Sequence, residues 1–196
     1  RYKERRDWLC EQLDTDSVAI LVGNRCQVRN KNINFRFRQD HDFYYYTGFI
    51  EPDSVAVIRP GHIHPFALFV LPKDEEAETW FAARTGIKAA LETFGADLAF
   101  SIDELDTQLP QLFETRENIY LVDELGRFED KIFDWLQFQR RSVKFDDFKC
   151  YPSLHSLLPI CQRPRPIKDA DEVELIRQAV KASVVGHKRL MQLCRP

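Results

Sequence analysis

The spacing of apolar and polar positions along the 196 residues changes repeatedly, and each change predicts an element. Arg1 to Leu13 sets Trp8, Leu9 and Leu13 among charges, the pattern of a surface helix. "SVAILVG", Ser17 to Gly23, is an unbroken apolar run closed by glycine and predicts a buried strand. The polar, basic stretch that follows predicts a loop with a strand-like tail, alternating at Phe35 and Phe37. Phe43 to Phe49 predicts another strand, because aromatic residues favour strands. "SVAVIRP" and "FALFVLP" predict a strand pair, with "GHIH" as the hairpin connection. "ETWFAAR" predicts one more short strand, and "TGIKAALETFG" a helix stopped by Gly95.

Ser101 and Glu104 have the spacing of a capping box, so a helix to about Phe113 follows. "NIYLVDE" predicts a buried strand. "GRFEDKIFDWLQFQRR" predicts a helix, with Phe128, Ile132, Phe133, Leu136 and Phe138 as its apolar positions. Ser142 to Cys161 is weakly patterned and holds Pro152 and Pro159. Pro164 and Pro166 force extended chain before a second capping box, Asp169 with Glu172. Val173, Ile176, Val180, Val184, His187, Met191 and Cys194 then recur at steps of three and four, which predicts a long amphipathic helix needing a partner surface. Burying four or five of those side chains is worth roughly 6–15 kcal/mol gross.

Alternating strands and helices with mostly apolar strands predict an α/β fold: a mixed β-sheet flanked by helices. Two parts are expected, a domain over residues 1–165 and a linking helix over 166–196. A hydrophobic share of 44% is enough for a self-sufficient core in a chain of this length. The net charge of −3 gives no global attraction to nucleic acid or anionic membrane, and no apolar run approaches the ~20 residues of a membrane span. Five scattered cysteines without a CxxC pair fit a reducing, cytoplasmic setting and argue against a disulfide framework or zinc finger.

Candidate chemistry is sparse. On a strand, Phe43 to Tyr46 would point two side chains to each face, as a ligand-stacking platform or, more simply, as sheet scaffolding with hydroxyls at the rim. His62 and His64 would face the same way and could share a metal, but no third ligand lies near, which favours a solvated hairpin. His41 with Asp40 and Asp42 reads as a solvated turn, His155 as isolated, and His187 as a packing histidine. The acidic groups Asp146-Asp147 and Asp74-Glu75-Glu76 read as solvated surface. Arg36 and Arg38 alternate with Phe35 and Phe37, which could stack single-stranded nucleic acid, but the run is short and the chain acidic. No GxSxG, P-loop, GxGxxG or HExxH occurs. Residues alone give no complete catalytic constellation.

Several stretches in order, "RQDHDFYYYTGFIEPDSVAVI", "ETWFAARTG", "FSIDELDTQL" and "RPIKDADEVELIRQAVKASVVGHKRLM", resemble the amino-terminal domain of Xaa-Pro aminopeptidases (aminopeptidase P), relatives of prolidase and creatinase. The motif residues are Asp42-Phe43, Tyr46, Thr47-Gly48-Phe49 and Glu51-Pro52, then Lys168 before a capped helix with Glu172, Ile176, Arg177 and Ala179. The resemblance implies a creatinase-type amino-terminal domain that is non-catalytic and frames the active-site entrance. It implies a carboxy-terminal pita-bread catalytic domain as partner, holding two Mn²⁺ on aspartate, histidine and glutamate ligands, none of which can be placed on this chain. Homo-oligomers (dimer or tetramer) and proline-containing peptides are the further partners implied, with no nucleic acid and no membrane. "CRP" falls where such a catalytic part begins, so the chain is expected to stop at a domain boundary. One aromatic of the domain can border a neighbouring subunit's substrate pocket, which makes Trp80 the substrate-proximal candidate and Arg84 a second. Two alternatives stay open: the amino-terminal domain of a prolidase-type dipeptidase, or a peptidase-like protein-binding module such as occurs in a histone chaperone.

Overall fold

The structure, a computed structural model, describes residues 1–31, 33–80, 83–113, 116–122, 128–142 and 152–194. The chain divides into two compact units, Arg1–Cys161 and Gln162–Pro196. The first begins with α1 (Tyr2–Glu11), β1 (Ser17–Val22), β2 (Val28–Asn30), β3 (Ile33–Asn34), α2 (His41–Thr47), β4 (Val55–Ile58) and β5 (Phe66–Val70). It continues with α3 (Glu75–Trp80), α4 (Gly86–Phe94), β6 (Leu98–Ser101), a 3₁₀ turn at Ile102–Glu104 and α5 (Leu105–Phe113). It ends with β7 (Asn118–Val122), α6 (Glu129–Ser142), β8 (Ser153–Ser156) and α7 (Leu158–Cys161). The second unit holds α8 (Ala170–Leu193).

Six strands form one mixed sheet in the order β6-β5-β4-β1-β7-β8, and β2 and β3 form a separate ribbon. β4 runs antiparallel to both its neighbours, while β1, β7 and β8 run parallel, as do β5 and β6. The carboxy ends of β1, β5, β6, β7 and β8 therefore meet the amino end of β4 at one end of the sheet, called the upper end below. β1, β4 and β5 are buried at every position, which is why their sequences are unbroken apolar runs. Successive side chains serve opposite faces. Ala19 and Leu21 join Leu9, Phe43, Tyr46 and Ala90 under α1, α2 and α4. Val18, Ile20 and Val22 join Leu109, Phe113 and Ile132 under α5 and α6. This is the layered α/β arrangement that the hydrophobic pattern predicts.

Both capping boxes form. The Ser101 hydroxyl accepts from Asp103 N, and Asp169 accepts from Glu172 N at 2.8 Å while Glu172 accepts from Asp169 N at 2.9 Å. Gly95 ends α4 at φ 65°.

Four stretches differ from the sequence reading. Phe43 to Phe49 is not a strand; the aromatics lie on α2. Asp40 caps it, accepting from Phe43 N at 2.8 Å, and Gly48 closes it at φ 70° with its N–H donating to Tyr44 O. Asp42, Phe43, Tyr46 and Thr47 are buried, the spacing of one helical face, and α1 grips the other side, with the Arg5 guanidinium 3.7 Å above the Tyr45 ring. Asp40 and Asp42 are thus cap and buried first turn rather than a solvated turn. "ETWFAAR" does not form a strand either. Its first residues belong to α3, whose acidic first turn, Glu75, Glu76 and Glu78, suits the positive end of a helix; Phe81 and Ala82 lie outside the described residues. The basic stretch after β1 carries the β2–β3 ribbon, and its strand pairing falls before Phe35 rather than at Phe35 and Phe37. β8 comes from the weakly patterned stretch, in which Asp146 and Asp147 lie outside the described residues.

In α8, Ile176, Val180, Val184, Leu190 and Met191 are all exposed, and His187 faces solvent instead of packing.

Candidate functional site

The connections that the sequence singled out converge on the upper end of the sheet. The basic ribbon leaves β1 there, the Glu51-Pro52-Asp53 turn enters β4 there, and the segment carrying Trp80 and Arg84 leaves β5 there. This is the end where α/β sheets place ligand-facing loops.

Gln39 organises the turn. It is 8% exposed. Its Oε1 accepts from Asn24 N at 2.7 Å and Asp40 N at 2.9 Å, and its Nε2 donates to Glu51 O at 2.7 Å. One buried amide thus ties the end of β1, the start of α2 and the turn before β4. Gly23 is required beside it: a Cβ there would stand 2.6 Å from Ser54 Oγ and 2.9 Å from Ser54 O. Asp53 adopts φ 52° and pairs with Arg25 at 3.1 Å.

Glu51 reaches further. Its Oε1 accepts from Thr85 N at 2.6 Å and from the Thr85 hydroxyl. The carboxylate therefore clamps the α3–α4 segment to the turn. Arg84, next in line, donates from Nη1 to Pro72 O at 3.1 Å and sits 3.8 Å from Asp74. Half-buried, it braces the base of α3. Trp80 is the last residue of α3. Trp80 and Arg84 are thus brought to one segment, fixed at its far end by Glu51. The Gln39 hub and the Glu51 clamp were missed from sequence. The only signal for them is polar residues next to the Glu51-Pro52-Asp53 turn, which reads as a turn in any case.

A pocket of about 110 Å³ opens beside Asp53, between the ends of β1 and β4 and the starts of α5 and α6. Its charged residues are already paired, Arg25 with Asp53 and Lys131 with Asp106 at 3.0 Å.

The histidines lie elsewhere. His62 and His64 occupy the β4–β5 hairpin at the lower end, with ring centroids 6.1 Å apart. His62 Nδ1 accepts from His64 N at 2.9 Å, so that nitrogen is engaged by backbone. His155 stacks on Tyr120 at 5.0 Å and lies 3.1 Å from Asn118 Oδ1. Among the described residues no group of three His, Cys, Asp or Glu side chains could hold a metal ion. The arrangement of Gln39, Glu51 and Thr85 can position loops.

Comparison with known proteins places this geometry. Residues 2–120 match the family model described as aminopeptidase P, N-terminal domain. The Xaa-Pro aminopeptidase of Escherichia coli is 29% identical over 197 residues, covering 100% of this chain and 45% of its own length. The structure of Pseudomonas aeruginosa aminopeptidase PepP superposes with a TM-score of 0.90 at 34% identity, over 100% of this chain and 44% of that one. Aminopeptidase P from E. coli, solved with the inhibitor Pro-Leu, superposes at 0.90 with 30% identity, again over the whole chain and 45% of its partner in the comparison. The chain spans about half the length of the curated relatives it matches.

Proposed function

The chain belongs to the aminopeptidase P N-terminal domain family, and from that premise we propose that it is the non-catalytic amino-terminal part of a Xaa-Pro aminopeptidase. The observation that carries this reading is the superposition on aminopeptidase P over 100% of the chain at 34% identity. Removal of the residue before proline, and the two divalent ions (manganese) that would activate water for it, belong to a partner domain outside these residues. The present residues frame that domain's entrance. The Glu51–Thr85 clamp holds the α3–α4 segment, and Trp80 at the end of α3 supplies the substrate-proximal aromatic. Arg84 acts through Pro72 O and Asp74 as a positioning residue. Homo-oligomers, in which a neighbour's segment borders the pocket, are part of the same reading. The free thiols of Cys10, Cys26 and Cys194 support a reducing, cytoplasmic setting.

The test compares the 196-residue chain with the whole gene product, each supplied with Mn²⁺ and Xaa-Pro peptides. Hydrolysis is expected from the whole product alone, and Trp80→Ala in it should raise KM more than it lowers kcat. Turnover by the purified chain that survives repurification would end the proposal.

A further inference from the structure

The lower end of the sheet holds a buried cation that the rest of the fold leaves unanswered. Arg59 follows β4 and is 5% exposed. Its Nη2 donates to His64 O at 2.8 Å, its Nε is buried without a partner, and it makes no ion pair among the described residues. One carbonyl meets a single N–H of a guanidinium that carries five, and leaves its charge unmatched. A buried charge is costly unless a counter-charge and hydrogen bonds meet it. Asp97 acts on Arg59 electrostatically, but its Oδ2 accepts from Phe66 N at 2.8 Å and it forms no ion pair with the guanidinium.

More positive charge is gathered there instead. Arg116, in the loop before β7, donates from Nη1 to Thr15 O in the loop before β1. Thr15 in turn lies against the tip of the β4–β5 hairpin: a Cβ on Gly61 would stand 3.1 Å from Thr15 Cγ2. Burial first, then the charge of Arg116, pulls the Arg59 guanidinium below its ordinary pKa, so the two cations feel each other. His62, half-buried in the same hairpin, donates from its backbone N to Arg59 O at 3.3 Å. Its Nδ1 accepts from His64 N, so the neutral ring carries its hydrogen on Nε2 and has a donor to offer. Asp14, Asp16 and Glu117 flank Thr15 and Arg116 in sequence, are exposed, and make no ion pair with these cations. Like charges round a buried guanidinium repel one another unless an anion lies among them.

We propose that Arg59, Arg116 and His62 form a binding site for a phosphate-type oxyanion at the lower end of the sheet. Arg59 brings its unmet N–H groups, Arg116 the guanidinium hydrogens not given to Thr15 O, and His62 its Nε2–H. Guanidinium forks match the oxygens of such an anion in pairs. The donors come from two separate loops and outnumber the two oxygens of a carboxylate, whereas phosphate or sulfate has four. Free phosphate and the phosphate group of a small phosphorylated molecule share this chemistry. The bound anion ties the hairpin to the loops before β1 and β7. The site lies at the opposite end of the sheet from the Glu51 clamp, so it stands apart from the peptidase reading above.

Titration of inorganic phosphate into the 196-residue chain tests it, with ionic strength held constant by sodium chloride and the His62 imidazole followed by NMR. Phosphate should bind saturably and raise the His62 pKa, which burial, Arg59 and Arg116 hold below 6.5 without it. Sulfate should do the same. Arg116→Gln should weaken binding by about tenfold or more, because hydrogen bonds from a charged donor are lost. Arg59→Gln should do so too, with circular dichroism as the check on folding; should that buried change unfold the chain, Arg116→Gln at its half-buried loop position still decides the matter. Glycerol phosphate separates the two sources: affinity at or above that of the free ion assigns the site to a phosphorylated molecule, and lower affinity to free phosphate. No saturable binding, an equal response to chloride alone, or a folded Arg116→Gln chain with unchanged affinity would each overturn the proposal.

Discussion

Gly48 shows how much one residue decides. It ends α2 at φ 70°, a backbone region that L side chains rarely adopt, and a Cβ there would stand 2.5 Å from the Tyr2 ring. Gly48→Ala is therefore expected to cost about 1–3 kcal/mol, read as a lowered midpoint in urea. Because Tyr2 donates to Tyr44 at 3.1 Å, the same change should disturb the α1–α2 contact. A variant as stable as wild type would show that the ring moves aside at no cost. Glu51 is the second deciding residue. Its carboxylate accepts two hydrogen bonds from Thr85, and hydrogen bonds to a charged group contribute about 1.5–3 kcal/mol. Glu51→Ala should lower stability by about that amount and speed proteolytic cleavage between α3 and α4. Unchanged cleavage would mean that other contacts hold the segment.

At the scale of elements, the sequence is legible where one interaction dominates. β1, β4 and β5 are buried on both faces, so burial alone writes an apolar run. The capped helices α5 and α8 announce themselves through side chains that bond their own backbone. α2 was not legible, because strand preference and helix capping point in opposite directions over the same residues. Four aromatics argue for a strand, yet Asp40 and Gly48, eight positions apart, bracket a helix. Capping wins because the helix buries Phe43 and Tyr46 on one face against the sheet. The ribbon and β8 were missed because they are short and mostly exposed, so burial left no period in them. The site followed the same rule: Trp80 and Arg84 came from resemblance, and the clamp that holds them came only from tertiary contacts.

The β4–β5 hairpin carries a pH effect at this scale. Burial first, then Arg59 and Arg116, hold the His62 imidazole below its ordinary value of 6.5. The folded state thus disfavours protonated His62. The stability this gives is fully present above 6.5 and is lost as pH falls through the depressed folded value. Stability should fall as pH drops below about 6.5, and His62→Gln should flatten that slope. An identical slope in the variant would assign the effect to other groups.

At the scale of the molecule, both apolar clusters are drawn from residues up to Cys161, and the second unit adds none of their buried members. The closing contacts of the first unit are its own: Leu157 and Cys161 are fully buried, and Tyr46 OH donates to Cys161 O at 3.4 Å. α8 instead leaves Val180, Val184 and Met191 exposed. If folding free energy resides where the buried apolar area lies, residues 1–165 should fold without the rest. A chain of residues 1–165 is expected to unfold in one cooperative step, with a midpoint within about 2 °C of the longer chain. It should also bind less of a hydrophobic dye, since the exposed α8 face is gone. A broad, non-cooperative melt would show instead that α8 is part of the first unit's stability, and that the boundary lies elsewhere.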